Sequence, residues 1–356
     1  MKILVLGGTG AMGKPLVRIL AEKKNQVYVT TRSIIKDSDG VKYIQGDAHD
    51  DVFLNRLLKE KFDVIVDFMV YDTPSFYNCI EKLLGSTNQY LFFSSCRVYA
   101  DSRTPLKEDS PRLIDTIKDK NYINTDEYAL AKAKEENILF NSKYNNWTII
   151  RPYITYNDYR LQLGTLEKEL WLMRALNNYT IVFPEDILEK YTTLTYGDDV
   201  SEMICRLIGN ENAIGKVFHI TTSQCVKWFD ILNKYISVIE RETGLCPKVK
   251  TVKSSESFQK FLNPWQIKYD RLYDRKFDNS LIIGTCGHYE FKDVFEGLDD
   301  CLTTFIRNSK WISGYFNPRF EAYCDRLSKE SQNVMKIPGK KNKLKYIKWR
   351  FFSDPS

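Results

Sequence analysis

A run of glycines directly after the first apolar segment constrains this chain more than any other feature. Residues Lys2 to Leu6 predict a short buried strand, and Gly7, Gly10 and Gly13 follow it in the pattern G-x-x-G-x-x-G. The next apolar residues, between positions 16 and 20, recur with helical spacing. Glycines permit a tight turn and a close approach of the backbone to a pyrophosphate, and a helix N-terminus stabilises the negative charge.

The order strand, glycine loop and helix therefore predicts a dinucleotide-binding loop at the N-terminus. The residues of this loop expected to contact the cofactor are Gly7, Thr9, Gly10, Ala11, Met12 and Gly13.

The first 150 residues alternate short apolar runs with helical patterns. Strands are predicted at Lys2 to Leu6, Gln26 to Thr31, Val41 to Gln45, Val64 to Phe68, Gln89 to Ser94 and Trp147 to Ile150. This alternation is typical of parallel strands joined by right-handed helical crossovers, with ligands bound beyond the carboxyl ends of the strands. The predicted fold class is α/β, a doubly wound parallel sheet with a smaller C-terminal substrate-binding part.

Longer helical stretches follow Pro152 and change the pattern of the chain. We assign residues 1–160 to the cofactor-binding domain. Residues of about 161–191 and 223–325 form the substrate-binding part. Residues 326–356 are assigned to a basic tail, where the lysine content rises.

Composition excludes several classes of protein. No apolar stretch approaches the roughly 18 residues that cross a bilayer, and no secretory signal pattern is present, so a cytoplasmic protein is expected. The eight cysteines include no Cys-x-x-Cys pair and only three histidines accompany them, so no metal site is expected. The net charge of +6 derives from the tail, because seven cations lie between positions 336 and 350 without an acidic residue.

The residues after the second and third strands bear on the choice of cofactor. Arg32 stands where an NAD-specific protein of this fold usually places an acidic residue for the ribose hydroxyls. Because a guanidinium pairs with a 2′-phosphate, NADP is favoured over NAD; a surface arginine in a loop is the alternative. Asp47 and Ala48 are expected near the adenine, and a helix-capping role is the alternative for Asp47.

A phenol and an ammonium lie one helical turn apart in Tyr128-Ala129-Leu130-Ala131-Lys132. A nearby cation favours the ionised phenol, so Tyr128 can exchange a proton with a substrate oxygen while Lys132 supports it and binds the cofactor ribose. A buried strand about thirty residues upstream ends in Ser94 and Ser95. Ser95 is expected to orient the reacting oxygen, and Ser94 to lie against the cofactor.

These motifs together resemble the extended short-chain dehydrogenases, the NAD-dependent epimerase/dehydratase family. The resemblance rests on the glycine motif, Ser-Ser-x-x-Val-Tyr, Tyr-x-x-x-Lys and Arg151-Pro152 in this order, and covers roughly residues 1 to 300. It implies a Rossmann fold and a nucleotide-sugar substrate. It further implies that residues of about 192–222 return to the cofactor-binding domain. It also implies that Tyr153 and Ile154 lie against the nicotinamide, and it is compatible with a homodimer.

The residues after Ser95 narrow the reaction that the resemblance implies. Family members that are 4,6-dehydratases carry an Asp-Glu pair where this chain has Cys96 and Arg97, so dehydration is disfavoured. Cys96 as a catalytic base is also disfavoured, because no matching histidine is evident. Reduction of a keto group, or oxidation of the alcohol, and epimerisation with a recycled NAD remain. Arg32 favours the NADP-dependent reductase.

Three further side chains have two interpretations each. Arg271 and Arg275 either meet a substrate diphosphate or are solvated surface arginines among acidic residues. His219, in a predicted strand, is expected to be a core or edge residue rather than a catalyst.

The tail mixes cations with aromatic residues between Lys340 and Phe352, a composition suited to an anionic membrane surface or to nucleic acid. Some relatives of the family look like RNA-binding proteins of plastids, so an RNA-binding protein on a dehydrogenase fold is the alternative from another class. The intact Ser95, Tyr128 and Lys132 disfavour it. A terminal element docked on the body is the other interpretation of the tail.

Overall fold

The computed structural model describes residues 1–10, 12–308, 311 and 316–352. The chain forms two compact units. The first unit comprises Met1–Thr155, Thr193–Ser223 and Lys276–Lys292, and the second comprises Tyr156–Thr192, Gln224–Arg275 and the described residues from Asp293 onward. None of the described helices is long and apolar enough to span a membrane.

The strands of the described residues are short. They are β1 (Lys2–Leu6), β2 (Gln26–Thr31), β3 (Val41–Gln45), β4 (Phe62–Asp67), β5 (Thr87–Phe93), β6 (Trp147–Pro152), β7 (Ile154–Tyr156), β8 (Ile181–Pro184), β9 (Tyr191–Thr192), β10 (Leu194–Tyr196), β11 (Lys216–Ile220), β12 (Val226–Lys227) and β13 (Val249–Val252).

Helices connect these strands and dominate the C-terminal part. They are α1 (Gly13–Glu22), α2 (Asp51–Leu58), α3 (Thr73–Leu84), α4 (Leu113–Thr116), α5 (Lys120–Ile123), α6 (Tyr128–Phe140), α7 (Lys168–Leu176), α8 (Glu185–Leu188), α9 (Gly197–Leu207), α10 (Trp228–Thr243), α11 (Pro264–Gln266), α12 (Ser280–Cys286), α13 (Val294–Asn308), α14 (Pro318–Ser328) and α15 (Lys340–Ile347). A 3₁₀ turn spans Cys96–Val98, and π-helical turns span Ile267–Arg271 and Lys348–Phe352.

A seven-stranded sheet forms the centre of the first unit, in the order β11-β6-β5-β4-β1-β2-β3. Each neighbouring pair is parallel; Leu4 of β1, for example, lies opposite Tyr28 of β2 and Ile65 of β4. The chain reverses direction along the sheet between β3 and β4, which places the carboxyl end of β1 at the switch point where such sheets bind ligands. The predicted doubly wound α/β fold is confirmed.

Both faces of this sheet are covered. Ile3 and Val5 pack on one face with residues of α1 and α9, whereas Leu4 and Leu6 pack on the other face with residues of α2 and α3. All four side chains are fully buried. Burial of such side chains from both sides of each strand contributes about 1.5–3 kcal/mol per residue, which holds the strand ends in fixed positions.

The segment Lys276–Lys292 belongs to the first unit, although its position in the sequence predicted that it lies in the substrate-binding part. The carbonyl of Lys276 accepts a hydrogen bond from the backbone N–H of Leu106 at 2.8 Å. The hydroxyl of Tyr289 donates to the carboxylate of Asp199 at 2.8 Å. These contacts join residues far apart in the sequence, which is why local patterns did not reveal them.

The second unit is mainly helical. Its helices α10 and α13 pack together, and the Trp171 ring of α7 stacks on Tyr235 of α10 with centroids 4.4 Å apart. Arg271 and Arg275 are both buried in this unit and both form ion pairs with the buried Asp270. Solvated surface positions for these arginines were therefore the wrong interpretation.

The C-terminal helices of the second unit are attached through a buried arginine. Arg174 of α7 donates hydrogen bonds to Glu321 at 2.6 Å and to Asp325 at 2.8 Å, both on α14. Tyr346 of α15 is fully buried, and its hydroxyl donates to Asp325. The described part of the basic tail, up to Phe352, therefore packs on the second unit. This agrees with the interpretation of the tail as a terminal element docked on the body.

Candidate functional site

The glycine loop joins the end of β1 to the start of α1. Gly7 has a φ of +68°, a conformation that L side chains rarely adopt, and its N–H donates to the Thr30 hydroxyl at 3.0 Å. A Cβ on Gly13 would lie 2.5 Å from the carbonyl oxygen of Gly8, so only glycine lets the helix start this close to the loop. The first turn of α1 holds no acidic residue, and its backbone N–H groups suit an anion.

A cavity of about 320 Å³ opens beside this loop. Its lining residues are Gly7, Thr9, Gly10, Thr30, Thr31, Arg32, Gly46, Asp47, Ala48, His49, Phe68, Met69 and Val70. They follow, or lie at, the carboxyl ends of β1, β2, β3 and β4. The volume, the position at the switch point and the glycine loop fit the adenosine half of a dinucleotide.

Most of the predicted cofactor residues at this end of the sheet line that cavity, but Met12 and Gly13 do not. Met12 caps the N-terminus of α1, and its carbonyl accepts a hydrogen bond from the Ser201 hydroxyl at 3.4 Å. Ala11 lies outside the described residues.

Arg32 and Asp47 are the charged residues of the cavity lining. Arg32 is exposed and forms no ion pair with any residue in the described part of the chain. A backbone hydrogen bond from His49 lowers the pKa of the Asp47 carboxyl, and the charge of Arg32 lowers it further. Asp50, rather than Asp47, caps α2 by accepting from the backbone N–H of Phe53 at 2.7 Å. The helix-capping alternative for Asp47 is therefore wrong.

Helix α6 carries Tyr128 and Lys132 one turn apart. Tyr128 is the first residue of α6 and is 38% exposed, whereas Lys132 is 2% exposed. The Lys132 ammonium lies 4.7 Å from the centroid of the Phe92 ring in β5, and Ser95 follows that strand. The packing of α6 on β5 therefore brings the end of β5 and the predicted catalytic helix together.

Arg97 contacts two of the three predicted catalytic residues. Its backbone N–H donates to the Ser95 hydroxyl oxygen at 3.2 Å, and its guanidinium lies 5.3 Å from the centroid of the Tyr128 ring. The guanidinium also pairs with Glu127 at 2.6 Å. From the sequence, Arg97 was informative only as a difference from the dehydratases. Its position two residues after Ser95 was the signal that it lies at this site.

A buried carboxylate accompanies Lys132. The ammonium donates to Glu135 at 2.8 Å, and the second carboxylate oxygen of Glu135 has no hydrogen-bond partner among the described residues. Burial raises the pKa of Glu135 to about 7, against the opposing effect of Lys132. Nearby, burial also raises the pKa of Asp67, which accepts from the hydroxyls of Tyr71 and Tyr90. Sequence spacing gave no indication that Glu135 faces Lys132.

Ser94 directs its hydroxyl to a buried ion pair. The hydroxyl donates to Glu136 at 2.5 Å, and the guanidinium of Arg151 binds both oxygens of the same carboxylate at 2.7 Å. Ser94 is 1% exposed. This arrangement connects β5, α6 and β6, and it fixes the backbone on which Ser95 is placed.

The remaining residues named from the sequence lie around β6 and β11. Tyr153 follows β6 with its ring 5.3 Å from that of Phe277, and Ile154 is buried. The Cys96 thiol is buried and donates to the carbonyl of Arg151 at 3.0 Å. His219 is fully buried, as expected, and burial lowers its pKa to about 4. Across the described residues, no cluster of three or more His, Cys, Asp or Glu side chains could hold a metal.

Comparison with known proteins matches residues 3–221 to the model of the NAD dependent epimerase/dehydratase family. Over 253 residues the chain is 28% identical to the chloroplast stem-loop binding protein of 41 kDa b from Arabidopsis thaliana, covering 65% of this chain and 61% of that protein. It is 27% identical over 134 residues to a UDP-glucose 4-epimerase from Lactobacillus helveticus, covering 31% of this chain and 41% of the relative. The chain thus spans less than two thirds of either relative.

A solved structure shares the fold. The UDP-glucuronic acid 4-epimerase from Bacillus cereus, in complex with UDP-glucuronic acid and NAD, superposes with a TM-score of 0.65 at 17% identity, over 87% of this chain and 100% of that one. The match to the family model covers more than half of the chain. This protein therefore belongs to the NAD dependent epimerase/dehydratase family.

Proposed function

We propose that this protein is an NADP-dependent oxidoreductase that reduces a keto group of a nucleotide sugar, or oxidises the corresponding alcohol. The observation that carries the proposal is the contact of Arg97 with both Ser95 and Tyr128. It supports a site in which the two hydroxyls address one substrate oxygen. The epimerase relative and the structure with bound UDP-glucuronic acid support a nucleotide sugar as the substrate class.

Tyr128 is the proposed acid and base. Its phenol donates a proton to the carbonyl oxygen during reduction and takes one from the alcohol during oxidation, while Ser95 orients the same oxygen. The bound nicotinamide supplies or accepts the hydride. The guanidinium of Arg97 lies over the Tyr128 ring, and Lys132 follows one turn along α6, so both cations belong to the proposed site.

The cofactor site favours a phosphorylated ribose. Arg32 lines the cavity beside the glycine loop and has no ion-pair partner among the described residues, so its charge is available to a 2′-phosphate. The carboxylate of that lining, Asp47, is engaged by the backbone N–H of His49 at 3.0 Å. We assign Asp47 and Ala48 to the adenine, and Tyr153 and Ile154 to the nicotinamide.

Epimerisation with a recycled NAD is the second candidate, because two of the similar proteins are named as 4-epimerases. It needs the same Ser95, Tyr128 and Lys132. The two candidates differ in whether the cofactor dissociates after each reaction. RNA binding is the candidate from another class, and the name of the chloroplast relative favours it.

The experiment is a binding titration of the purified protein with NADPH and NADH, for the wild type and for Arg32→Asp. We expect NADPH to bind at least tenfold more tightly than NADH, and Arg32→Asp to remove this preference. Lys36→Asp is the matched control, because Lys36 is exposed in the same loop and does not line the cavity. NAD retained on purification would favour the epimerase, and no binding of either nucleotide would overturn the enzyme assignment.

A further inference from the structure

The C-terminal segment from Ser331 to Phe352 contains seven cations and no acidic residue. One side of it is fixed to the second unit. Tyr346 is fully buried, the Trp349 ring lies 5.8 Å from that of Phe261, and Arg350 donates to the carbonyl of Glu330 at 2.8 Å. These contacts determine which way α15 and the π-helical turn after it are oriented.

The opposite side of α15 and this turn is exposed. Its exposed residues recur three or four positions apart, as expected for one side of a helix. We call them the outer face: Lys341, Leu344, Lys345, Lys348, Phe351 and Phe352. The apolar members are strongly exposed, with Leu344 at 68%, Phe351 at 58% and Phe352 at 80%.

Apolar side chains and lysines on one side of a helix suit the boundary between lipid headgroups and acyl chains. The apolar side chains enter the boundary, while the lysine stems extend along it and place their ammonium groups among anionic phosphates. We propose that the outer face docks this protein on the surface of an anionic lipid bilayer. The three lysines supply the charge complementarity to that surface.

The choice of a bilayer over nucleic acid follows from the apolar residues. Leu344 has no aromatic ring to stack on a base, so nucleic acid would leave its side chain without a partner of matching chemistry. A bilayer buries Leu344, Phe351 and Phe352 together. The face is also preformed, because Tyr346 and Trp349 hold the helix, so docking needs little ordering of the chain.

The test measures co-sedimentation of the full-length protein with vesicles of phosphatidylcholine alone and of phosphatidylcholine with 30% phosphatidylglycerol, roughly the charge of an anionic leaflet. One variant, Lys341→Gln/Lys345→Gln/Lys348→Gln, removes the charge. A second, Leu344→Ser/Phe351→Ser/Phe352→Ser, removes the apolar groups. The matched control, Lys59→Gln/Lys216→Gln/Lys253→Gln, removes three exposed lysines elsewhere. Thermal unfolding of each variant verifies that it folds.

We expect roughly a hundredfold stronger partitioning to the anionic vesicles than to phosphatidylcholine alone. The charge variant should lose about a hundredfold of it, since each lysine near such a surface contributes about fivefold. The apolar variant should lose at least tenfold, and the control should match the wild type. Equal binding to both vesicle types, or an apolar variant that binds like the wild type, would overturn the proposal. The proposal would also be overturned if neither vesicle type bound the protein while a stem–loop RNA bound the wild type but not the charge variant.

Discussion

The ammonium of Lys132 and the carboxylate of Glu135 form an ion pair of 2.8 Å in which both side chains are buried. The pair follows Tyr128, the proposed acid and base, by one to two turns along α6. A buried carboxylate is costly unless all of its oxygens are satisfied, and one oxygen of Glu135 has no hydrogen-bond partner in the described part of the chain. The pKa of Glu135 is raised because burial disfavours the charged carboxylate.

The pH dependence of stability tests that account of Glu135. Because its pKa is about 7 in the folded chain, against an ordinary value of 4.5, the folded state holds a proton that the unfolded state loses. This carboxyl therefore lowers the free energy of unfolding as the pH rises from 4.5 to 7, by up to about 3 kcal/mol. In Glu135→Gln the free energy of unfolding, measured by urea denaturation, should fall less between pH 5 and pH 8 than in the wild type.

The slopes are compared rather than the absolute stabilities, because Glu135→Gln also alters the pairing of Lys132. The other charged groups that act on Glu135, namely Asp67 and Asp126, are the same in both proteins. Glu211→Gln, at an exposed position, is the control. An unchanged slope in Glu135→Gln would contradict the assignment.

Arg97→Gln tests the link between Ser95 and Tyr128. The variant removes the cation from the Tyr128 ring and from Glu127, so we expect kcat to fall roughly tenfold with KM for the sugar nucleotide little changed. Arg103→Gln, exposed in the same connecting segment, should behave as wild type. An unchanged kcat in Arg97→Gln would show that the contact is structural only.

Gly13→Ala tests the close approach of α1 to the glycine loop. Its new methyl group would lie 2.5 Å from the Gly8 carbonyl oxygen, so the backbone must move. We expect a loss of about 1–3 kcal/mol in unfolding free energy and at least a tenfold loss in nucleotide affinity. Gly10→Ala is the matched control for stability, because its Cβ meets nothing closer than 4.0 Å. Equal stability of the two variants would contradict the geometry of the loop.

Tyr346→Phe tests the docking of the C-terminal segment. The ring remains, but the hydroxyl that donates to Asp325 and accepts from the backbone of Gln332 is lost. Since this leaves buried polar groups less satisfied, the free energy of unfolding should fall by about 1–3 kcal/mol in a denaturant titration. Tyr77→Phe, at an exposed tyrosine, should change it little. If both variants were equally stable, the hydroxyl of Tyr346 would not hold the segment.

The sequence predicted the sheet well because burial on both faces makes each strand a short apolar run. The predicted strand at Val64 to Phe68 corresponds to β4 at Phe62–Asp67, a shift of one or two residues. The glycine loop and the one-turn spacing of Tyr128 and Lys132 are likewise local features, so residue order alone was enough to place them.

Contacts between distant residues could not be predicted in this way. The membership of Lys276–Lys292 in the first unit, and the burial of Arg271 and Arg275 against Asp270, depend on which surfaces the chain brings together. Glu135 is a similar case, because its neighbour Glu136 has the same charge and both side chains are buried. Only the structure shows that Glu135 pairs with Lys132 and Glu136 with Arg151.

The contacts of Cys96 and Arg97 limit how this site can change its chemistry during evolution. A lineage that gained the Asp-Glu pair of the 4,6-dehydratases would replace both residues at once. It would lose the thiol that donates to the carbonyl of Arg151, and it would remove the Arg97 guanidinium that pairs with the half-buried Glu127 at the start of α6. A new reaction would therefore require compensating substitutions in α6, so single mutations are a poor route from this protein to a dehydratase.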